Sequence, residues 1–345
     1  MSEAEDPEEE EQELYEHYRV VADKGQELLR IDKFLMDRVP NTSRTKLQVA
    51  AANGNIRVNG VTVKPNYRVK PEDDISIVLP YPQREIELIP QDIPIEILYE
   101  DDTLVIVNKP ADMVVHPGYG NYTGTLVNAL VYHFGKLPES NDAIPNRPGL
   151  VHRLDKHTTG VMVIAKTEQA LTHLSLQFYE RTIDRRYVAL AWGDIEEDGT
   201  ITGNIGRSLK NRKVMSIFPE GDFGKHAVTH YKVLERLNYV TLVECKLETG
   251  RTHQIRAHFQ HIGHPLFNDP EYGGNKILKG TTFTKYKQFV MNNFELLPRQ
   301  ALHARKLELT HPATGERMNF ESPMPEDMTT VLNRWRDYLG TRKDD

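Results

Sequence analysis

The fifteen residues HRLDKHTTGVMVIAK, 152–166, place an acidic side chain, Asp155, two positions after a cationic one, Arg153. An apolar-led segment (Gly149, Leu150, Val151) precedes the pair. A Thr-Thr-Gly turn and an unbroken apolar run, Val161 to Ala165, follow it. Short β-rich runs bounded by turn residues read as buried strands, so Asp155 belongs to a loop that a core strand holds in place. A carboxylate beside an arginine, on a braced loop, is one way to present a single charged oxygen pair for chemistry. Taken alone, the same residues also fit a surface Arg/Asp pair next to a turn.

The elements that must position this loop fall in two regions. Residues 30–80 form a small basic stretch. Ile31, Phe34 and Leu35 share one helical face, and Pro40 ends that helix. Thr42 or Ser43 caps a second helix running to about Ala52, which Asn53-Gly54 stops. IRVNGVTV then alternates as two strands around Asn59-Gly60, a strong hairpin signal. Pro80, Pro82, Pro90 and Pro94 mark a linker. Beyond it, strand-like runs at Leu104–Val107, Val161–Ala165, Tyr187–Trp192, Val240–Leu247 and Leu307–Leu309 are interleaved with helix-like segments at 124–134, 168–181 and 252–262, the last opening at a Thr252 cap. Strands and helices do not strictly alternate, which points to an α+β fold with a mixed, largely antiparallel sheet.

Six blocks carry a family resemblance. Besides HRLDKHTTG they are NKPADMVVHPG (Asn108 to Gly118), RRYVALAWG (Arg185 to Gly193), LETGRTHQIRAH (Leu247 to His258), HPLFNDPEYGG (His264 to Gly274) and ALHARKLELTHPATGE (Ala301 to Glu316). In type and order they resemble the RluA/RluD-type pseudouridine synthases, over roughly residues 20 to 335. SRxKLQxAAANGNIRVNG, with its helix–helix–hairpin order, resembles the S4-type RNA-binding domain. The resemblance implies a curved mixed sheet with flanking helices and an RNA cleft, preceded by a small α/β RNA-binding domain. The expected boundaries are an acidic tail at 1–18, the S4-like domain at 19–82, a linker at 83–94, the synthase domain at 95–338 and a tail at 339–345.

Resemblance also assigns roles. Uridine becomes pseudouridine when the N1–C1′ bond breaks, the uracil turns in place and C5 joins C1′. Asp155 is the implied catalytic carboxylate, attacking sugar or base or taking a sugar proton. Arg256, in the HQIR block, is its implied partner. Tyr187 is implied to stack on the target uracil, and Arg153 to enter the RNA stack where the base has left. A base inside a helix must be extruded before such chemistry, and stacking on an aromatic ring contributes about 1–3 kcal/mol. Arg30, Arg44, Lys46 and Arg57 are expected phosphate contacts from the small domain. The clusters Arg207, Lys210, Arg212, Lys213 and Lys276, Lys279, Lys285, Lys287 each hold four cations and no acid, and are either RNA contacts or solvated surface. Departures from the family pattern are His157, Thr159 and Phe267-Asn268, in loops.

Composition bounds the rest. The net charge of −7 looks unfavourable for an RNA enzyme, but residues 1–16 hold nine acids and no Lys or Arg; taking nine from 50 leaves 41 acids against 43 cations. One cysteine, Cys245, excludes an intrachain disulfide. No secretory signal and no long apolar run is present, so a cytoplasmic, monomeric protein with no membrane contact is expected. His253, His258, His261 and His264 lack a metal-site spacing, and there is no Walker loop, GxGxxG or Cys cluster: neither metal nor cofactor is expected. The leading reading is a synthase acting on large-subunit ribosomal RNA, as in the RluD branch. A tRNA-directed synthase and a noncatalytic ribosome-assembly clamp are the alternatives. A glycosidase-like hydrolase would require two carboxylates, and the motif supplies one.

Overall fold

The computed structural model describes residues 14–39, 42–79, 88–118, 120–138, 147–211, 214–219, 221 and 223–343. The chain divides into two compact units, 1–87 and 88–345.

The first unit contains β1 (Tyr15–Val21), β2 (Leu29–Arg30), α1 (Ile31–Met36), α2 (Arg44–Ala52), β3 (Ile56–Val58), β4 (Val61–Thr62), β5 (Arg68–Val69) and β6 (Asp74–Leu79). A four-stranded sheet runs β1-β6-β3-β4, and β2 pairs with β5. Ile31, Phe34, Leu35, Leu47, Ile56, Val69 and Ile75 form its core. The Ser43 hydroxyl caps α2 by accepting the Lys46 N–H, and Asn59 and Gly60 turn the hairpin at positive φ. Two expectations change. The strand β1 begins at Tyr15, inside the stretch assigned to the tail, because Tyr18, Val20 and Ala22 supply an apolar face that outweighs the local acidity. The helix α1 also ends at Met36, short of the stop expected at Pro40. The expected stop at Pro40, like residues 1–13 and 80–87, lies outside the described residues.

The second unit is built on one ten-stranded sheet. Its elements are β7 (Glu96–Glu100), β8 (Leu104–Lys109), α3 (Leu126–Phe134), β9 (Thr159–Ala165), α4 (Glu168–Glu180), β10 (Asp184–Trp192), β11 (Gly199–Arg207), β12 (Met215–Phe218), β13 (Lys225–Leu237), β14 (Val240–Leu247), α5 (Gln254–His261), α6 (Thr284–Leu296), β15 (Leu302–Thr310), β16 (Arg317–Glu321) and α7 (Glu326–Lys343). Strand order is β12-β11-β13-β14-β10-β15-β9-β8-β7, with β16 beside β15. Among the described residues only the β15–β9 pair is parallel; the fold is α+β and mostly antiparallel. Residues 339–343, expected as a tail, continue α7. The second half of the expected linker is fastened to α3: Gln91 N–H donates to Asn128 O at 3.1 Å, and the Asn128 amide donates to Ile89 O at 2.8 Å.

All seven residues of β9 are buried, as a strand covered on both faces must be. The strand enters the sheet at Gly160, which takes φ +118° and lies so close to β15 that a Cβ there would sit 2.1 Å from Ala304 O. Gly160→Ala therefore combines overpacking with backbone strain. It is expected to destabilise the domain by about 3 kcal/mol, read as a lowered urea midpoint at unchanged m-value.

Candidate active site

Asp155 sits where the chain turns into β9. Leu150 bridges to Ile164, and Ala165 N–H donates to Gly149 O at 2.9 Å, so the segment before the turn runs against the strand it is about to enter. His152 fastens it further. Its Nε2 accepts the Val163 N–H at 3.1 Å, and its ring stacks on Phe178 at 4.8 Å. Burial, with Arg185 nearby, pushes His152 down to about 3, so the ring is neutral and free to accept.

The two peptide carbonyls after Asp155 are each held by a buried cation. Lys109, at the end of β8, is 1% exposed. Its ammonium donates to Lys156 O at 3.0 Å, and to Pro110 O and Met113 O at 2.7 and 2.9 Å. Burial pushes it down to about 7, the Asp155 charge opposing and Arg299 adding to the shift. Arg299 donates to His157 O at 3.1 Å while gripping Asp327 of α7 through two bonds of 2.7 and 2.8 Å. Thr158 N–H closes the turn onto Asp155 O at 3.1 Å.

Arg256 meets the carboxyl from α5. Its Nη1 donates to Asp155 Oδ2 at 3.2 Å. The same guanidinium donates twice to Asp269, at 2.6 and 2.9 Å, and once to Glu271 at 2.6 Å. Its flat face lies 4.8 Å from the centre of the Tyr272 ring. Arg256 is 3% exposed and Asp269 fully buried. Burial opposes the arginine charge, but the Asp269 hydrogen bonds and the charges of Asp269, Asp155 and Glu271 outweigh it and hold the pKa above the ordinary value. Asp269 is itself fixed: its Oδ1 accepts the N–H groups of Glu271 and Tyr272, and Gly274, where a Cβ would lie 1.8 Å from Leu266 O, closes the loop. The helix does not start on a Thr252 cap. His253 occupies that position at φ +53°, which turns its ring to Tyr272 Oη at 3.0 Å and to within 3.8 Å of Asp155.

Tyr187 stands on β10 between Cys245 of β14 and Ala304 of β15 and is 7% exposed. Burial raises its phenol pKa, Arg185 opposes, and Asp155 adds to the rise. Tyr187, Asp155 and Arg256 line one cavity of about 520 Å³, and Asp155 and Arg256 also line a second of about 650 Å³ with His116, Arg147 and Glu271. Both volumes suit a small organic ligand. Arg153, exposed, lines both. The three expected chemical groups thus converge in one place.

The expected RNA contacts are less uniform. Arg30 and Arg44 both donate to Asp32, which is fully buried, at 3.1 and 2.9 Å, and Gln48 donates to it at 2.7 Å. Part of each charge therefore serves the interior of the small unit. Lys46, Arg207, Lys210, Lys276, Lys279, Lys285 and Lys287 are exposed, Arg57 is half-buried, and Arg212 and Lys213 lie outside the described residues. Three of the four histidines take separate partners: His253 faces Tyr272, His258 faces Thr229 and His264 faces Trp192 O. Among the described residues no three His, Cys, Asp or Glu side chains gather as metal ligands would, and no helix is long and apolar enough to cross a membrane. Lys109, Asp269, Glu271 and Arg299 carry the site without having been singled out from sequence. Asp269 and Glu271 were at least within reach, as acids 13 and 15 positions after Arg256 in a recognised block.

Residues 103–261 match the RNA pseudouridylate synthase family and residues 29–75 the S4 domain. An uncharacterized RNA pseudouridine synthase of Chlorobaculum parvum is 50% identical over 318 residues, covering 92% of this chain and 97% of the relative. The chain belongs to the RNA pseudouridine synthases. The ribosomal large subunit pseudouridine synthase D of Pseudomonas aeruginosa is 44% identical to this synthase over 308 residues, 89% of the chain and 92% of the relative. Among solved structures, human RNA pseudouridylate synthase domain containing 4 superposes with a TM-score of 0.51 at 26% identity, over 70% of this synthase and 93% of that chain.

Proposed function

We propose that this synthase isomerises a uridine of large-subunit ribosomal RNA, with Asp155 as the reacting carboxylate, Arg256 as the group that orients it and Tyr187 as the surface on which the extruded uracil rests. The observation that carries the reading is the placement of Asp155: 3.2 Å from a buried guanidinium, in a cavity shared with a tyrosine ring, on a loop tied at both following carbonyls. The reaction is an isomerisation. N1–C1′ breaks, C5–C1′ forms, the C5 proton leaves to solvent and one returns to N1. One carboxylate suffices, because attack on C1′, attack on the base and removal of a sugar proton all begin at the same oxygen pair. Arg256 stabilises its charge through transition and ground state alike, while Lys109 and Arg299 keep the loop from yielding as the base turns. Tyr187 offsets part of the few kcal/mol that extrusion requires.

The large-subunit target is supported by the relative named for it, which this chain matches over nearly its whole length. Mapping pseudouridine in ribosomal and transfer RNA from cells lacking the gene tests it. One missing large-subunit site is the expected result; a missing tRNA site would replace the target, and a full complement of sites would favour a noncatalytic clamp. The S4 unit is proposed to hold phosphates. Deleting residues 1–87 should weaken RNA binding and flatten its salt dependence by about 0.7–0.9 in log–log slope for each phosphate no longer held, and an unchanged slope would remove that role.

A further inference from the structure

The cavity that holds Asp155 and Tyr187 continues outward to the end of α4, and its outer end has a chemistry of its own. Arg185 precedes Tyr187 by two positions on β10 and so leaves the same face of the strand. Its neighbour Arg186, on the opposite face, is committed to Asp184 at 3.0 Å and Glu244 at 2.8 Å. Arg185 has no carboxylate partner among the described residues, and its Nε is buried without an acceptor. The guanidinium is wedged between the Phe178 ring, 5.3 Å away, and the backbone of Gly250, where a Cβ would come within 2.8 Å of Nη1. A half-buried cation held rigid and unpaired is unfavourable by itself; it suits a site that an anion completes on arrival. The nearby acid, Glu248, is already taken by His230 at 2.6 Å. On the wall of the same cavity Tyr179 projects from α4 at 85% exposure. A large amphipathic ring left that bare at a cationic cleft matches the way proteins stack unpaired bases.

We propose that this outer end is a second nucleotide site, which takes an unpaired nucleotide adjoining the target uridine in the same strand: Arg185 receives the intervening phosphate, and the Tyr179 ring stacks on the neighbour's base. The inference rests on the reading that the Asp155–Tyr187 end receives the uridine. It adds a substrate requirement, since a uridine whose neighbours stay paired would leave the site empty.

The test uses an RNA hairpin that the full-length wild-type synthase converts, in three forms: intact, abasic immediately 5′ of the target, and abasic immediately 3′. Tyr179→Ala is expected to lower kcat/KM on the intact hairpin by about 5- to 150-fold, from the usual strength of one base–aromatic stack. On one of the two abasic forms wild type should fall by a similar factor and Tyr179→Ala should add nothing. Arg185→Gln should reduce the salt slope of binding by about 0.7, one single-strand phosphate, and Arg185→Lys should restore it. Equal losses for Tyr179→Ala on all three RNAs, no loss on the intact one, or a salt slope indifferent to Arg185→Gln would each overturn the site. Absence of conversion by wild type of any RNA or subunit would instead defeat the underlying reading, and the second site with it.

Discussion

Asp155→Asn is expected to release no tritium from RNA labelled at uracil C5, a fall of about 10⁴-fold or more, the scale seen when an essential carboxylate is lost, while binding that RNA within about threefold of wild type. The substitution is isosteric. It keeps an oxygen for the Arg256 Nη1 hydrogen bond and leaves the loop's other ties in place: Lys109 to Lys156 O, Arg299 to His157 O and His152 to Val163. Arg256 also keeps Asp269 and Glu271, so the site neither collapses nor gains an uncompensated buried cation. What disappears is the negative charge, and with it the nucleophile or base that the isomerisation needs. RNA affinity draws on phosphate contacts and stacking, which the change does not touch. Label release at the wild-type rate would take Asp155 out of the mechanism. Loss of affinity in step with loss of release would make it a binding residue.

The parts of this site that were legible from sequence are those with a local signature. The strand β9 announces itself as an apolar run after a Thr-Thr-Gly turn, and the loop before it carries Asp155 and Arg153 in plain view. The hairpin at Asn59-Gly60 and the cap at Ser43 are equally local. The strands β11 and β13 were not legible, because their buried positions are few and scattered (Ile201, Ile205 and Gly206 in β11; Ala227, Val228, Thr229 and Leu237 in β13), and no long run of apolar residues marks them. The helices α6 and α7 were missed for a related reason: their buried positions, such as Tyr286, Val290, Val331 and Trp335, are spaced among many polar ones and cohere only when packed together. Lys109 and Arg299 bind backbone carbonyls, and a carbonyl has no letter in a sequence. Their role appears only when residues 47 and 142 positions apart in the chain are brought together.

Arg256→Met is the second large effect, and it separates two functions of one side chain. The guanidinium is the counter-charge of Asp269, which is fully buried. Removing it strands that carboxylate, and breaking a buried pair from one side costs about 3–5 kcal/mol. For a domain of this size that is a fall of about 10 °C in Tm. The same change frees Asp155 from its orienting bond, so label release should also vanish. A stability loss alone would explain both, so the decisive variant is Arg256→Met with Asp269→Asn. Asparagine at 269 removes the stranded charge, keeps an oxygen to accept the Glu271 and Tyr272 N–H groups and should recover most of the lost Tm. It cannot restore a donor at 3.2 Å from Asp155 Oδ2. The double variant is therefore expected to be folded and inactive, with RNA affinity close to wild type. If it regained label release, Arg256 would be a structural arginine and Asp155 would need no partner. If Arg256→Met kept wild-type stability, the buried network around Asp269 would not be what fixes the guanidinium, and Asp155 would owe its aim to some other group.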